Sequence, residues 1–523
     1  MAEISNKIEN FEMIVNDAFV EKAVSLEPEL HSIEVEAKSV ITIEPDADDY
    51  KVDSRVEAYT SQVTELKKGE SICFDFEDHC VGYVTFHLKS AGSPPDAPAH
   101  IRIKLGEVLC EIAEESSTYH GSISSSWIQE EFVHVDVLPA VIRMPRRYAF
   151  RYIEFKVMDT SPKYQVIVEK VTCETVTSAD RTKVEPLAES VPEDLRKMDA
   201  VALKTMEDCM QKVFEDGPKR DRRLWIGDLR LQALTNYYTF KNYDLVKRCL
   251  YLFAGLAQNE GHVGACLFLE PKLQVDDTAL YDYGLFFISC LYDYYKACGD
   301  EETLRELWDT AFLQAELAMM RVDENGVVRD SDDWWCFLDW HDELNKQAGG
   351  QGVFIYTLKQ AIELAEILGD KERKASLERM LKKTTKGAIE HLWDEEQGFF
   401  ISGENRQISW ASQVWLVLAG VFGEEKNQQI LTKLMEVNPR VNMVTPYMYH
   451  HFVDALMLNG MKEKALECMR SYWGQMVEDG ADCFWELYDP NNKYVSPYGS
   501  RIINSYCHAW SCTPSYFIRK YFS

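Results

Sequence analysis

One change of texture restricts the folding of this chain more than any other feature. Residues 70–171 carry short stretches of alternating apolar and polar side chains, and from Pro192 onward the apolar spacing is helical. A strand turns every second side chain to one face and a helix every third or fourth, so the two stretches require different layers. Residues 71–88 read as two strands around a turn, and 99–109, 132–138, 147–157 and 164–171 read as further strands. With Gly/Pro turns such as 91–98 between them, they predict an antiparallel β-sandwich. Residues 1–45, mixed and acidic, are expected to form an N-terminal extension, 46–180 the sandwich and 181–523 a helical domain.

Pro192-Glu-Asp-Leu195 opens the helical part with acids suited to a first turn. The spacing then predicts helices over 242–257, 280–298, 303–320, 352–368, 371–392, 410–422, 428–436, 448–459 and 461–474. Consecutive helices make αα-hairpins, which either stack as a solenoid or close into a toroid. The helices share no repeated sequence motif, which favours the closed α/α barrel.

Charge and thiols narrow the partners. A formal charge of −30 repels phosphate backbones and anionic membranes, so neither nucleic acid nor a membrane is expected as partner. No apolar run is long enough to span a bilayer, and residues 1–17 lack the apolar core of a signal peptide. The 14 cysteines are scattered without a CxxC pair or zinc spacing, which reads as free thiols in a cytoplasmic protein. Nothing in the pattern decides the oligomeric state, and homodimer formation stays open. Phosphate-loop, dinucleotide, HExxH and GxSxG motifs are missing. Tyr449-His450-His451 has the donors for a metal but no second cluster to complete a site, so no metal and no cofactor are expected.

Three segments carry candidate chemistry. Asp216-Gly-Pro-Lys-Arg-Asp-Arg-Arg-Leu-Trp-Ile-Gly-Asp228 sets Asp216, Asp221 and Asp228 among Arg220, Arg222 and other cations. Gly217, Pro218 and Gly227 oppose a continuous helix there, so the segment is expected to be a loop that aims side chains at a ligand. Trp225 offers a flat face for a sugar ring. Asp482-Cys-Phe-Trp-Glu-Leu-Tyr-Asp489 surrounds Glu486 with aromatic residues, an apolar setting that would raise a carboxyl pKa. Asn504-Ser-Tyr-Cys-His-Ala-Trp-Ser511 supplies His508 and Trp510. The acid-aromatic loops 276–283, with Asp282, and 332–340, with Trp340, complete a composition suited to pyranose binding, where rings pack on C–H faces and polar groups bond hydroxyls.

In these segments the chain resembles glycoside hydrolase family 78, the α-L-rhamnosidases. Asp216–Asp228 is similar to that family's signature loop, Phe484-Trp-Glu-Leu-Tyr-Asp-Pro490 to its later W-E element, and Ser505-Tyr-Cys-His-Ala-Trp-Ser511 to its S-x-x-H-x-W element. Arg147–Glu154 and Cys80–Tyr83 look like strands of the preceding β-sandwich. The resemblance implies a β-sandwich followed by an all-α (α/α)6 six-hairpin barrel, and inverting hydrolysis of a small glycoside or oligosaccharide. The family's general acid is a Glu in the signature loop. Aligned without gaps, its place holds Asp221, one methylene shorter; against relatives with a longer loop it faces Arg222, which cannot donate a proton. The ungapped match implies Asp221 as acid and Glu486 as base. Asp216, Arg220, Arg222, Trp225, Asp228, Asp282, Trp340, His508 and Trp510 would then bind substrate. A related exo-glycosidase for another deoxy sugar or a uronic acid, favoured by Arg222-Arg223, and a sugar-binding protein that lost its acid are the competing readings.

Overall fold

The computed structural model describes residues 11–58, 65–331 and 334–523. Asp332 and Asp333 of the 332–340 loop, and the start of the expected N-terminal extension, lie outside them.

The sandwich is organised by one strand. Residues 71–88, read as two strands around a turn, form a single 22-residue strand, Ser71–Gly92. Its first half pairs with Tyr148–Asp159 and Ser39–Asp46, and its second half pairs with Tyr164–Thr177 and Ala140–Arg143. Glu77, at φ 65, lies between the halves, and the ladder to Tyr148–Asp159 shifts register there. An irregular residue of this kind bends a strand and lets it serve both layers. Phe86 of the second half meets Phe155 of the facing layer with ring centroids 5.5 Å apart. Ile72, Phe74, Val84, Leu88, Ile101, Ile103 and Val166 fill the same core.

The sheet begins earlier than expected. His31–Glu36 pairs with Tyr164–Thr177, and Ser39–Asp46 pairs with Asp49–Glu57, so residues 31–46 belong to the sheet and not to an extension. The first of these strands is exposed on both faces for most of its length, so it lies at the edge of the sheet with little core of its own.

The helical part is an (α/α)6 barrel. Its inner helices are Ile226–Tyr238, Tyr281–Cys298, Gln347–Leu368, Trp410–Leu418, Pro446–Leu458 and Pro514–Tyr521, each packed on the next. His450 closes the ring on the last of these, with its imidazole 5.1 Å from the Phe517 ring. Outer helices such as Lys371–Gly387 bury few residues, while Ile226–Tyr238 is buried along most of its length. This is the difference expected between a one-sided amphipathic helix and one covered on all sides. His450 and His451, weighed above as metal donors, are core residues: His451 Nε2 accepts from Arg230 Nη1 at 2.9 Å. The segments leading into Ile226–Tyr238, Tyr281–Cys298, Gln347–Leu368 and Pro514–Tyr521 gather at one mouth of the barrel. No described helix is long and apolar enough to cross a membrane.

Candidate active site

The mouth holds a cavity of about 160 Å³ lined by Asp216, Asp221, Trp225, Asp228, Leu280, Tyr283, Trp335, Phe337, Trp340, Glu486, Tyr498, His508 and Trp510. Pockets for drug-sized ligands run to several hundred Å³, so this one suits a single sugar ring.

Backbone hydrogen bonds join the three sequence segments into one floor. Ala509 N donates to Asp216 O at 2.8 Å, Glu486 N to Ser505 O at 3.0 Å and His508 N to Phe484 O at 2.8 Å. Within the first loop the Asp216 carboxylate accepts from the main-chain N–H groups of Asp221 and Arg223, both at 3.0 Å. The loop therefore wraps around Asp216 and presents Asp221 at its tip, with a side chain 26% exposed to the cavity. Gly217 is required where the turn closes, since a Cβ there would stand 2.4 Å from Arg220 O.

The sandwich braces this loop from behind. Lys219 reaches Glu107 at 3.0 Å and Glu111 at 2.6 Å. Arg222 donates to Arg147 O at 2.9 Å and Pro218 O at 2.8 Å. Arg222 is thus turned away from the cavity and cannot meet a sugar there. Arg223 stacks 4.2 Å from the Phe268 ring, so neither member of the cationic pair lines the site.

Glu486 is buried, but its surroundings are not simply apolar as its aromatic neighbours in sequence suggest. Arg220 Nη2 bonds one carboxylate oxygen, and the Tyr498 hydroxyl lies 3.1 Å from the other. Tyr498 also accepts from Arg220 Nη1 at 3.1 Å, and the guanidinium sits 4.3 Å from its ring. Arg220 therefore acts on Glu486 and is not itself a wall of the cavity. Across the floor, His508 Nε2 is 3.2 Å from Asp228 Oδ1. Burial is the largest influence on the Asp216 and Asp228 carboxyls. It raises Asp216 to about 7, helped by the like charge of Asp221, and it raises Asp228 as well. For His508 burial is the largest influence and works downward, but the Asp228 hydrogen bond and the negative charges of Glu486, Asp228 and Asp216 together outweigh it and hold the imidazole above its usual range.

The walls are aromatic. Trp510 donates through Nε1 to Glu486 O at 2.9 Å, and its ring lies 5.2 Å from Trp340 and 5.8 Å from Phe337. Asp282 does not face the cavity. It is buried at a helix N-terminus and accepts from the N–H groups of Phe337 and Leu338, both at 2.9 Å, which fixes the Phe337 wall.

Of the residues marked in the sequence, Asp216, Asp221, Trp225, Asp228, Trp340, Glu486, His508 and Trp510 meet in one cavity. Arg220 joins them through Glu486, and Arg222 and Asp282 do not line it. The sequence reading missed Tyr498, which sits in the patternless stretch 489–500. It also missed Tyr283, Trp335 and Phe337, although all three lie in the acid-aromatic loops it singled out.

A six-hairpin barrel whose mouth gathers buried carboxyls between aromatic walls is the architecture of a glycoside hydrolase. The model of the glycosyl hydrolase family 78 α-rhamnosidase N-terminal domain matches residues 37–175, and that of the bacterial α-L-rhamnosidase six-hairpin glycosidase domain matches residues 189–522. The chain belongs to glycoside hydrolase family 78. It is similar to the solved structure of a rhamnosidase from Klebsiella oxytoca with rhamnose bound, at 47% identity and a TM-score of 0.94, covering 97% of this chain and 99% of the other. The fold is shared with a family 78 rhamnosidase of Bacillus sp. GL1, at 22% identity and a TM-score of 0.72 over 86% of this chain and 46% of that one. An α-L-rhamnosidase of Formosa agariphila is 21% identical over 56% of this chain. The chain spans about a third of that curated relative's length.

Proposed function

We propose that the chain is an inverting exo-α-L-rhamnosidase acting on small glycosides or oligosaccharides, with Asp221 as general acid and Glu486 as general base. The observation that carries this reading is that both carboxyls, 265 positions apart in the chain, face one cavity the size of a monosaccharide.

Inversion needs an acid on the leaving-group side and a base that activates water on the opposite face, their carboxyls roughly 6.5–9.5 Å apart. Asp221, at the tip of its loop and partly exposed, is placed to protonate a departing glycosidic oxygen. Glu486, paired with Arg220 and Tyr498, is held in a fixed rotamer to take a proton from water. Asp216 and Asp228 would bond sugar hydroxyls, with His508 beside Asp228, and Trp225, Trp340 and Trp510 would cover the C–H faces. The methyl group of a 6-deoxy sugar fits such walls, and the Klebsiella oxytoca relative holds rhamnose. With Arg222 and Arg223 outside the cavity, the uronic-acid alternative has lost the cations that favoured it.

We further propose that residues 181–523 are the catalytic unit and that the sandwich serves it by holding Lys219 and Arg222. None of the 14 cysteines forms a disulfide, which supports a cytoplasmic location. Hydrolysis of a panel of p-nitrophenyl glycosides, with the first-formed anomer read by proton NMR, tests the assignment. Release of β-L-rhamnose from the α-L-rhamnoside is expected. No turnover of that substrate, or first appearance of the α-anomer, would overturn it.

A further inference from the structure

We propose that this chain binds one divalent ion of the zinc class in a closed tetrahedral site behind the candidate active site, through His79 Nδ1, an Asp208 carboxylate oxygen and the Cys483 and Cys507 thiolates. All four ligand atoms lie within 4.8 Å of one another, and all four residues are buried. They come from four separate pieces of the fold. His79 stands on the long Ser71–Gly92 strand and Asp208 in the last turn of the Glu193–Cys209 helix. Cys483 lies three residues before Glu486, and Cys507 immediately before His508. Such scattered positions leave no short-spacing motif from which a metal site can be read.

The donor set selects the ion. Two thiolates with one imidazole and one carboxylate suit zinc and other borderline-soft cations, not magnesium or calcium, which prefer oxygen. Zinc–sulfur and zinc–nitrogen bond lengths put neighbouring tetrahedral ligands about 3.3–3.8 Å apart. Cys483 Sγ is 3.7 Å from Asp208 Oδ2. His79 Nδ1 and Asp208 Oδ2, now hydrogen-bonded at 2.7 Å, would open by about half an ångström, exchanging that bond for two to the metal.

The outer partners are those of a metal-bound histidine. His79 Nε2 faces Glu107 Oε1 at 3.1 Å, which fixes Nδ1 as the ligand nitrogen, and Glu107 is held in turn by Lys219 at 3.0 Å. Lys204 binds the other Asp208 oxygen at 2.9 Å. Both thiols are fully buried, and a divalent cation would draw off their protons on binding. Binding releases the two thiol protons and the proton on Nδ1. The resulting charge, two thiolates and a carboxylate against the divalent cation and Lys204, cancels. With four protein ligands and no open position the site is structural. It would pin the loops of Glu486 and His508 to the sandwich strand.

The test uses the full chain expressed with added zinc and purified without chelator. One zinc per chain by mass spectrometry of the metal is expected, released when a mercurial titrates the thiols. Metal-free protein should take up one Co(II) and show thiolate-to-cobalt absorption in the near ultraviolet with intense tetrahedral visible bands. Cys483→Ala with Cys507→Ala should abolish both. Cys209→Ala, a buried thiol 3.9 Å from Cys507 Sγ but outside the set, should keep them. Because the double variant has to fold to be informative, the native protein supplies the decisive reading. Absence of stoichiometric zinc together with absence of cobalt bands overturns the proposal, as does full metal retention in the folded double variant.

Discussion

Arg220 donates to the buried carboxylate of Glu486, while its chain neighbour Asp221 opens onto the same cavity. One loop therefore carries the proposed acid and also holds the proposed base in place. The two halves of the machinery, far apart in sequence, are coupled through a single peptide unit.

That coupling makes Arg220 a severe site to change. Arg220→Met leaves Glu486 as an unpaired buried charge, a loss typically worth about 3–5 kcal/mol. Thermal unfolding should show a clear fall in Tm, and kcat should drop at least 100-fold. Arg220→Lys keeps the charge but not the planar fork that serves Glu486 and Tyr498 together, so it should recover stability before activity.

The carboxyl cluster should set the basic limb of the pH profile. Asp216 keeps its proton to about pH 7 through burial and the nearby Asp221 charge. Asp216→Asn removes that titrating neighbour, so the basic limb of kcat/KM should move about one unit toward acid, as expected when a close carboxyl neighbour is lost. Stability follows the same sign. The native state holds a proton that an unfolded Asp releases near pH 4, so this contribution is present below that range and is lost as pH rises through about 7. Unfolding curves of Asp216→Asn should lack that decline between the two values.

Gly227 tests the aromatic wall. A Cβ there would stand 2.3 Å from the Tyr283 ring, which lines the cavity and meets Trp225 edge-on at 6.4 Å. Gly227→Ala should force that ring inward, at a stability cost of about 1–3 kcal/mol. Initial-rate measurements should show KM raised several-fold with a smaller change in kcat.

Much of the architecture was legible because burial leaves a period behind. The helices at 281–298 and 347–368 follow their apolar spacing closely, the second beginning five residues before the expected Gly352. The Ser71–Gly92 strand reads as two in sequence, and its middle carries the polar run Asp75, Glu77, Asp78 and His79. Asp75 is in fact buried against Arg55 and Arg151, and His79 against Asp208 and Glu107. Polar residues that are paired after folding cannot be told from solvated ones in a string of letters. Asp282 and Arg222 failed as ligand groups for the same reason, since each bonds main-chain atoms and not the cavity. Tyr498 was invisible because its role depends on Arg220 and Glu486 arriving from elsewhere in the chain.

The most direct measurement is the leaving-group dependence of kcat/KM for Asp221→Asn and Glu486→Gln on a series of aryl α-L-rhamnosides. A general acid matters least when the aglycone departs unaided. Asp221→Asn should therefore retain substantial activity on the most acidic phenols and lose it steeply on poor leaving groups, while Glu486→Gln should be inactive across the series. A uniform loss in Asp221→Asn, or near-native turnover in either variant, would contradict the assignment of these two carboxyls.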